Sequence, residues 1–404
     1  MPVTTDYPGV YVREIPGGPG SPVDVPTSVA AFVGRTQDGP VCEPTTVFNL
    51  AQYQGIFGAA PSADGLAWQV QAFFANGGGQ AVIVRLVEPG DDPAAPLSVT
   101  TYLGDRNSRT GLYALDHVQA FNILCIPPDL ADGDLPVAVR QAAADYCVAR
   151  QAMLIVDPLQ AWQQAFEQGR LADITPDALD LSGPDQRRNA AVYFPRLVAP
   201  DPDNLDDPTA TRVLPVCGAL AGIWATTDVR SGVWKAPAGV DAAIADIVGL
   251  AAPLSDSDNG LLNPQGINAL RIFPTYGPVV WGARTLAGAD PLADDYKYIP
   301  VRRLALYIEA WLAANLRWAV FQPNDGRLWA AIRAQISAFL NDLWRQGALF
   351  GASLPQACFV ICDASTTTPE DIEAGIVNIL VGFAPVKPAE FVVLTIQQAA
   401  GQSD

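Results

Sequence analysis

The chain has 404 residues, half of them hydrophobic, and a formal net charge of −18, which allows two or three domains with sizeable cores. Acidity of this order argues against nucleic acid as the main partner, because a phosphate backbone calls for a concentrated basic surface. No apolar run is long enough to span a membrane and the first residues lack a basic start with an apolar centre, so neither direct membrane insertion nor a signal peptide is expected.

Residues 6–15, DYPGVYVREI, alternate Val10, Val12 and Glu14 against Tyr11, Arg13 and Ile15, the pattern of one extended strand. A Pro/Gly-rich tether up to Pro26 separates it from the body. The strand pairs either at an edge of its own domain or on another molecule. From residue 28 to 87 the pattern is strand (VAAFVGRT), strand (TVFNL), helix (66–75), glycine turn and strand (QAVIVRLV), a small α/β unit. The glycines at 77–79 follow a helix and lead into a strand, the reverse of a phosphate-binding loop, and read as a helix C-terminal turn.

Residues 91–260 alternate strands (NILCIPP, AMLIVDP, AAVYFPRLV) with helices at about 135–150, after 157 and near 215, implying a mostly parallel sheet with helices on its faces. This stretch holds 23 acids against 11 Lys plus Arg, a solvated outer surface. The cluster at 201–207 lacks the spacing of a calcium loop. A serine hydrolase needs an acid, a His base and a Ser nucleophile together. Asp157 ends a strand, but His117 is the chain's one histidine and no nucleophile turn accompanies it. Catalysis, a cofactor and a bound metal are not expected.

Residues 266–288 are strand-like, and two amphipathic helices follow. The first is expected from Pro300 to about Phe321, with Val301, Leu304, Ile308, Leu312 and Asn315 on one stripe. The second starts at an Asn324–Asp325 cap, faces inward through Leu328, Ile332, Ile336, Phe339 and Leu343, and stops at Gly347. Residues 301–350 carry six Arg against three acids, a local reversal of charge that suits an acidic partner. The chain closes with the strand QACFVICD, a capping box at Thr368 and Asp371, and strands at 376–384 and 390–398. The last is apolar on both faces and must be covered. Cys42, Cys125, Cys147, Cys217, Cys358 and Cys362 lie mostly in apolar runs, as buried free thiols in a reducing compartment would.

Several short motifs occur in order along the chain: Tyr7-Pro8-Gly9-Val10-Tyr11 with Glu14; Phe32-Val33-Gly34; Phe73-Phe74-Ala75-Asn76-Gly77-Gly78 with Val84-Arg85; Gly277-Pro278-Val279-Val280-Trp281-Gly282-Ala283-Arg284-Thr285; and Pro388-Ala389-Glu390-Phe391. Together they resemble the tail sheath proteins of contractile phage tails and injection particles. The resemblance implies an α/β protein: an α+β inner domain built by both chain ends, and an inserted, subtilisin-like α/β middle domain with a mostly parallel sheet. Mapped here, that gives an N-terminal arm and linker (1–26), a small unit of the inner domain (27–90), the inserted domain (91–265), a tube-facing inner domain (266–388) and a C-terminal arm (389–404).

The resemblance further implies a helical homopolymer around an inner tube, closed by baseplate and cap proteins. It would be assembled in the bacterial cytoplasm, would serve in a virion tail or contractile particle, and would contract to drive the tube through a target envelope. Arms would donate strands to neighbours through Tyr7, Val10, Tyr11 and Val12 at one end and Phe391, Val393, Leu394 and Ile396 at the other. Arg327, Arg333 and Arg345 are candidates for facing the tube, although their spacing places them on different sides of one helix. A subtilisin-like hydrolase and a non-contractile assembly protein are the competing readings.

Overall fold

The computed structural model of the chain describes residues 22–58, 62, 65–88, 95–204, 206–207 and 209–391. Tyr7, Val10, Tyr11, Val12, Val393, Leu394 and Ile396 lie outside the described residues. The protein is mixed α/β and divides into two compact units: Pro26–Ile308 with Pro385–Asp404, and Met1–Val25 with Glu309–Ala384.

The larger unit is built on an eight-stranded sheet. Its strands are β1 (Ala30–Arg35), β2 (Thr45–Val47), β3 (Ala81–Leu86), β4 (Ile123–Cys125), β5 (Met153–Val156), β6 (Ala190–Phe194), β10 (Ile267–Phe273) and β11 (Gly277–Val280), in the order β11-β10-β6-β5-β4-β1-β3-β2. The inner six run parallel, and β11 and β2 close the edges antiparallel. Parallel strands buried on both faces read as continuous apolar runs, and β5 (MLIV) and β6 (AAVYF) are buried throughout. Side chains alternate between faces. Thus Ala30 and Phe32 enter one core while Ala31 and Val33 enter another.

Three differences from the sequence reading stand out. The segment AAVYFPRLV is two strands, because Pro195 offers no N–H to continue a ladder. After it the chain leaves β6 for a small sheet formed by β7 (Leu197–Pro200), β8 (Thr211–Leu214) and β9 (Gly249–Leu250). In TVFNL the strand stops at Val47, and Asn49 instead caps a helix, Leu50–Phe57, by accepting from the Gln52 amide at 2.9 Å. The partition at residues 90 and 265 also differs, because β1, β4, β6 and β10 hydrogen-bond in one sheet. Element alternation reveals strands but not which of them are neighbours.

Helix Cys217–Ser231 lies against helix Ala67–Ala75 at a distance set by glycine. A Cβ on Gly218 would stand 2.1 Å from the Gln69 carbonyl oxygen, and one on Gly222 would stand 2.4 Å from that of Phe73.

The smaller unit centres on helix Gly326–Arg345 and the last residues of helix Ile299–Asn315. Asp325 caps the former by accepting from the amides of Arg327 (2.9 Å) and Leu328 (3.1 Å), and the buried face is Leu328, Trp329, Ile332, Ile336, Phe339, Leu340 and Leu343. Trp311 and Phe339 stack with ring centroids 3.9 Å apart and planes within 1° of parallel. The first long helix ends at Asn315, six residues short of the expected Phe321. The Asn315 side-chain amide turns back to the Trp311 carbonyl at 3.0 Å, competing with the backbone for the helix's own acceptors. A 3-10 turn, Arg317–Ala319, follows, and Phe321 takes a positive φ of 66°. A two-stranded antiparallel sheet, β12 (Cys358–Ile361) with β13 (Leu380–Phe383), completes the unit.

Candidate assembly site

Glu390, among the last described residues, is held by the buried guanidinium of Arg284: Nε donates to Oε1 at 2.7 Å and Nη2 to Oε2 at 2.6 Å. Tyr298 adds its hydroxyl at 3.1 Å. Arg284 is itself fixed by the carbonyls of Asn263 (2.8 Å) and Gly288 (3.2 Å) and by Asp290 (2.9 Å), which also binds Lys297 at 2.6 Å. Burial alone would raise the Glu390 carboxyl, but the Arg284 hydrogen bonds and charge outweigh it and hold the group below its ordinary value. Burial and the Glu390 charge push the Tyr298 hydroxyl up to about 12, so it remains a donor. The next residue, Phe391, is 75% exposed. Val386, Pro388, Ala389, Glu390 and Phe391 form one wall of a groove of about 790 Å³ whose other walls include Trp234, Trp281 and Tyr298.

Val23, among the first described residues, is held by Asn315. Its Oδ1 accepts from the Val23 amide at 2.6 Å, and its Nδ2 donates to the Val23 carbonyl at 3.0 Å. A planar amide thereby satisfies both backbone groups of one residue, as a neighbouring strand would. The sequence placed Asn315 on an apolar stripe; it is buried there because it reads backbone.

The β12–β13 ladder pairs Phe359 with Gly382, and the Phe359 ring covers the glycine so closely that a Cβ there would lie 2.1 Å from it. Among the described residues neither outer edge has a further strand, and Phe359 and Leu380 are each about half exposed.

The three arginines of helix Gly326–Arg345 differ. Arg327 and Arg345 are exposed, whereas Arg333 is half-buried and donates to the Cys362 carbonyl. Arg302 and Arg303, counted in the same basic excess, are used internally: Arg302 bonds Asn189 at 3.0 Å and Arg303 pairs with buried Asp228.

The carboxyl end of the parallel sheet is where an α/β enzyme would place its chemistry. Asp157 follows β5 there, and its Oδ1 caps helix Cys217–Ser231 by accepting from Val216 (2.6 Å) and Cys217 (3.0 Å). Burial pushes this carboxyl up against the opposing charge of Arg196. Burial also pushes the Cys217 thiol well above its ordinary range, leaving it a poor nucleophile. His117 is exposed and ends the 3-10 turn that precedes the amino end of β4, whereas Asp157 follows the carboxyl end of β5. The space beside Asp157 and Arg196 is about 10 Å³, room for roughly one water. Among the described residues no group of three His, Cys, Asp or Glu could hold a metal, and no helix is long and apolar enough to cross a membrane.

Comparison with known proteins gives this arrangement a context. Residues 118–286 match the phage tail sheath protein central domain, and residues 293–399 match the phage tail sheath C-terminal domain. The chain belongs to the phage tail sheath family. A prophage major tail sheath protein of Pseudomonas aeruginosa strain UCBPP-PA14 is 28% identical over 331 residues, covering 77% of this chain and 75% of that protein. Among solved structures, the helical sheath of the anti-feeding prophage in its contracted state is 28% identical, with a TM-score of 0.76 over 98% of this chain and 100% of that one. The contracted sheath complex of the PVC extracellular contractile injection system is also 28% identical, with a TM-score of 0.74 over 98% of each chain.

The protein is therefore a contractile sheath subunit of a phage tail or an extracellular contractile injection system. Of the sheath residues named from sequence, the described structure contains Phe391, Arg327, Arg333 and Arg345. It brings Phe391 beside the Arg284–Glu390 pair and leaves the three arginines apart. In the sequence, Arg284 and Glu390 belong to separate motifs. Their pairing across 106 positions has no local signal.

Proposed function

We propose that this subunit polymerises by strand exchange, its two-stranded β12–β13 sheet accepting the terminal arms of neighbouring copies. The observation that carries this reading is that sheet, whose outer edges have no further strand among the described residues. A two-stranded sheet is marginal in water, and exposed apolar edges invite added strands. Here two such edges belong to a chain with two apolar terminal segments, around Val10–Val12 and Val393–Ile396. Added strands carry the interaction in backbone hydrogen bonds, which survive while rigid bodies rotate.

In this reading the polymer surrounds an inner tube, is capped by baseplate and terminator proteins, and assembles in the bacterial cytoplasm. Contraction repacks the subunits without breaking the strand mesh and needs no nucleotide. The subunit acts mechanically and not as an enzyme, a reading supported by the opposite placement of His117 and Asp157 and by the raised Cys217 thiol. Full-length protein is expected to form hollow tubes in electron micrographs. Deletion of residues 1–15 or of 392–404 is expected to leave folded, unpolymerised subunits. Ordered tubes from either deletion would overturn the strand-exchange assignment.

A further inference from the structure

We infer that Asn315 and the Arg284–Glu390 pair are positioning residues for assembly, fixing the two points at which the terminal arms leave the body of the subunit. The inference rests on the strand-exchange reading and adds to it the residues that aim the arms.

A donated strand must be ordered before it can pair, and any freedom at its root is lost on binding. Fixing the root in advance lowers that cost. Both roots carry side-chain devices suited to the task, and each acts at the boundary of its arm. Twenty-two residues precede Val23 and thirteen follow Phe391. Asn315 bonds both the N–H and the C=O of Val23, so it fixes the direction of the backbone and not only its position. Val23 is itself 63% exposed, so its side chain contributes little to holding the segment.

At the other end, Arg284 meets both oxygens of Glu390 through two separate nitrogens, a bidentate contact that sets orientation as well as distance. The remaining partners all serve to keep Arg284 in place: Asn268 receives its backbone N–H at 2.7 Å, and Asn263, Gly288 and Asp290 take its Nη1. Lys297 binds Asp290, and Tyr298 binds Glu390. Pro385 and Pro388 bracket the approach and stiffen it.

The test uses the full-length protein with Asn315→Ala, Glu390→Ala and the near-isosteric Glu390→Gln. Circular dichroism melts report folding, and sedimentation with electron microscopy reports the critical concentration for tubes. Each substitution is expected to leave a cooperatively folded subunit while raising the critical concentration about tenfold or more, equivalent to about 1.4 kcal/mol of association free energy. Glu390→Asp, which keeps the charge but shortens the reach, should fall between the parent and Glu390→Ala. Hydrogen exchange on the unassembled subunit should quicken at residues 22–25 in Asn315→Ala and at residues 386–391 in the Glu390 variants, each without change at the other root. If Glu390→Ala does not fold, Glu390→Gln carries the same comparison.

Folded variants that assemble at the parental concentration would sink the positioning role. The 392–404 deletion run alongside separates the two ideas. If it forms no tubes while Glu390→Gln assembles normally, strand exchange stands and the anchors fall. If it still forms tubes, the strand-exchange reading itself is wrong.

Discussion

Arg303 grips Asp228 with two donors, Nη1 to Oδ1 at 2.8 Å and Nη2 to Oδ2 at 2.6 Å, and both side chains are buried. The guanidinium also lies 5.0 Å from the ring of Trp224 and donates to the Thr27 carbonyl at 2.9 Å. Within the larger unit, Arg303 thereby ties the first turns of helix Ile299–Asn315 to helix Cys217–Ser231. Removing one partner leaves a buried charge uncompensated, so Asp228→Asn or Arg303→Leu is expected to cost about 3–5 kcal/mol. Denaturant titration checks this. The double replacement Asp228→Leu with Arg303→Met should recover part of the loss, and single losses below about 1 kcal/mol would contradict the assignment.

Glycine sets the spacing of the helix pair beside that ion pair. With Cβ positions 2.1 and 2.4 Å from carbonyl oxygens, Gly218→Ala and Gly222→Ala must push the two helices apart. Each is expected to lose about 1–3 kcal/mol through overpacking, despite the higher helix propensity of alanine. A gain in melting temperature from either substitution would show that the contact yields freely.

How much of this could be read in advance depended on the range of the interaction. Strands β1, β3, β5 and β6 were legible because both faces are apolar, and helix Gly326–Arg345 because its stripe, cap and terminal glycine agree. The count of arginines in 301–350 misled because it treats Arg302, Arg303 and Arg333 as surface. Their partners Asn189, Asp228 and Cys362 lie 113, 75 and 29 positions away. The anchors at Asn315 and Arg284 were hidden for the same reason. A stripe pattern scores Asn315 as one polar residue on an apolar face, and only the tertiary structure brings Val23 to it.

Acid should weaken the C-terminal anchor in a definite window. The Glu390 carboxyl is held below its ordinary value in the folded protein, so its stabilising contribution is complete above the ordinary glutamate value of about 4.3 and is lost as pH falls through the depressed one. Asp290 is likewise held low, chiefly by the Lys297 hydrogen bond and then by the Arg284 charge, so comparison with Glu390→Gln isolates the one group. The parent should exceed Glu390→Gln by about 1.5–3 kcal/mol at neutral pH, as for a hydrogen bond to a charged group. The gap should close in strong acid. A gap that is constant with pH would mean that the carboxylate charge contributes nothing.

Helix Gly326–Arg345 supplies the remaining test, of the proposed tube-facing arginines. Arg327 and Arg345 are exposed, and among the described residues neither has an ion pair, whereas Arg333 spends its donor on the Cys362 carbonyl. Charge reversal therefore separates the three. Arg327→Glu and Arg345→Glu should change stability by no more than about 0.5 kcal/mol, as expected of surface positions. Arg333→Glu should cost about 1.5–3 kcal/mol by removing a charged donor from a carbonyl, so any loss of assembly in that variant reports folding first. Co-sedimentation of sheath with purified tube at low and high salt then reads the surface directly. A residue that contacts an acidic tube surface should bind more weakly after reversal and show a smaller dependence on salt, because screening acts on the attraction that has been removed. If Arg327→Glu and Arg345→Glu both bind the tube like the parent at both salt concentrations, this helix does not face the tube.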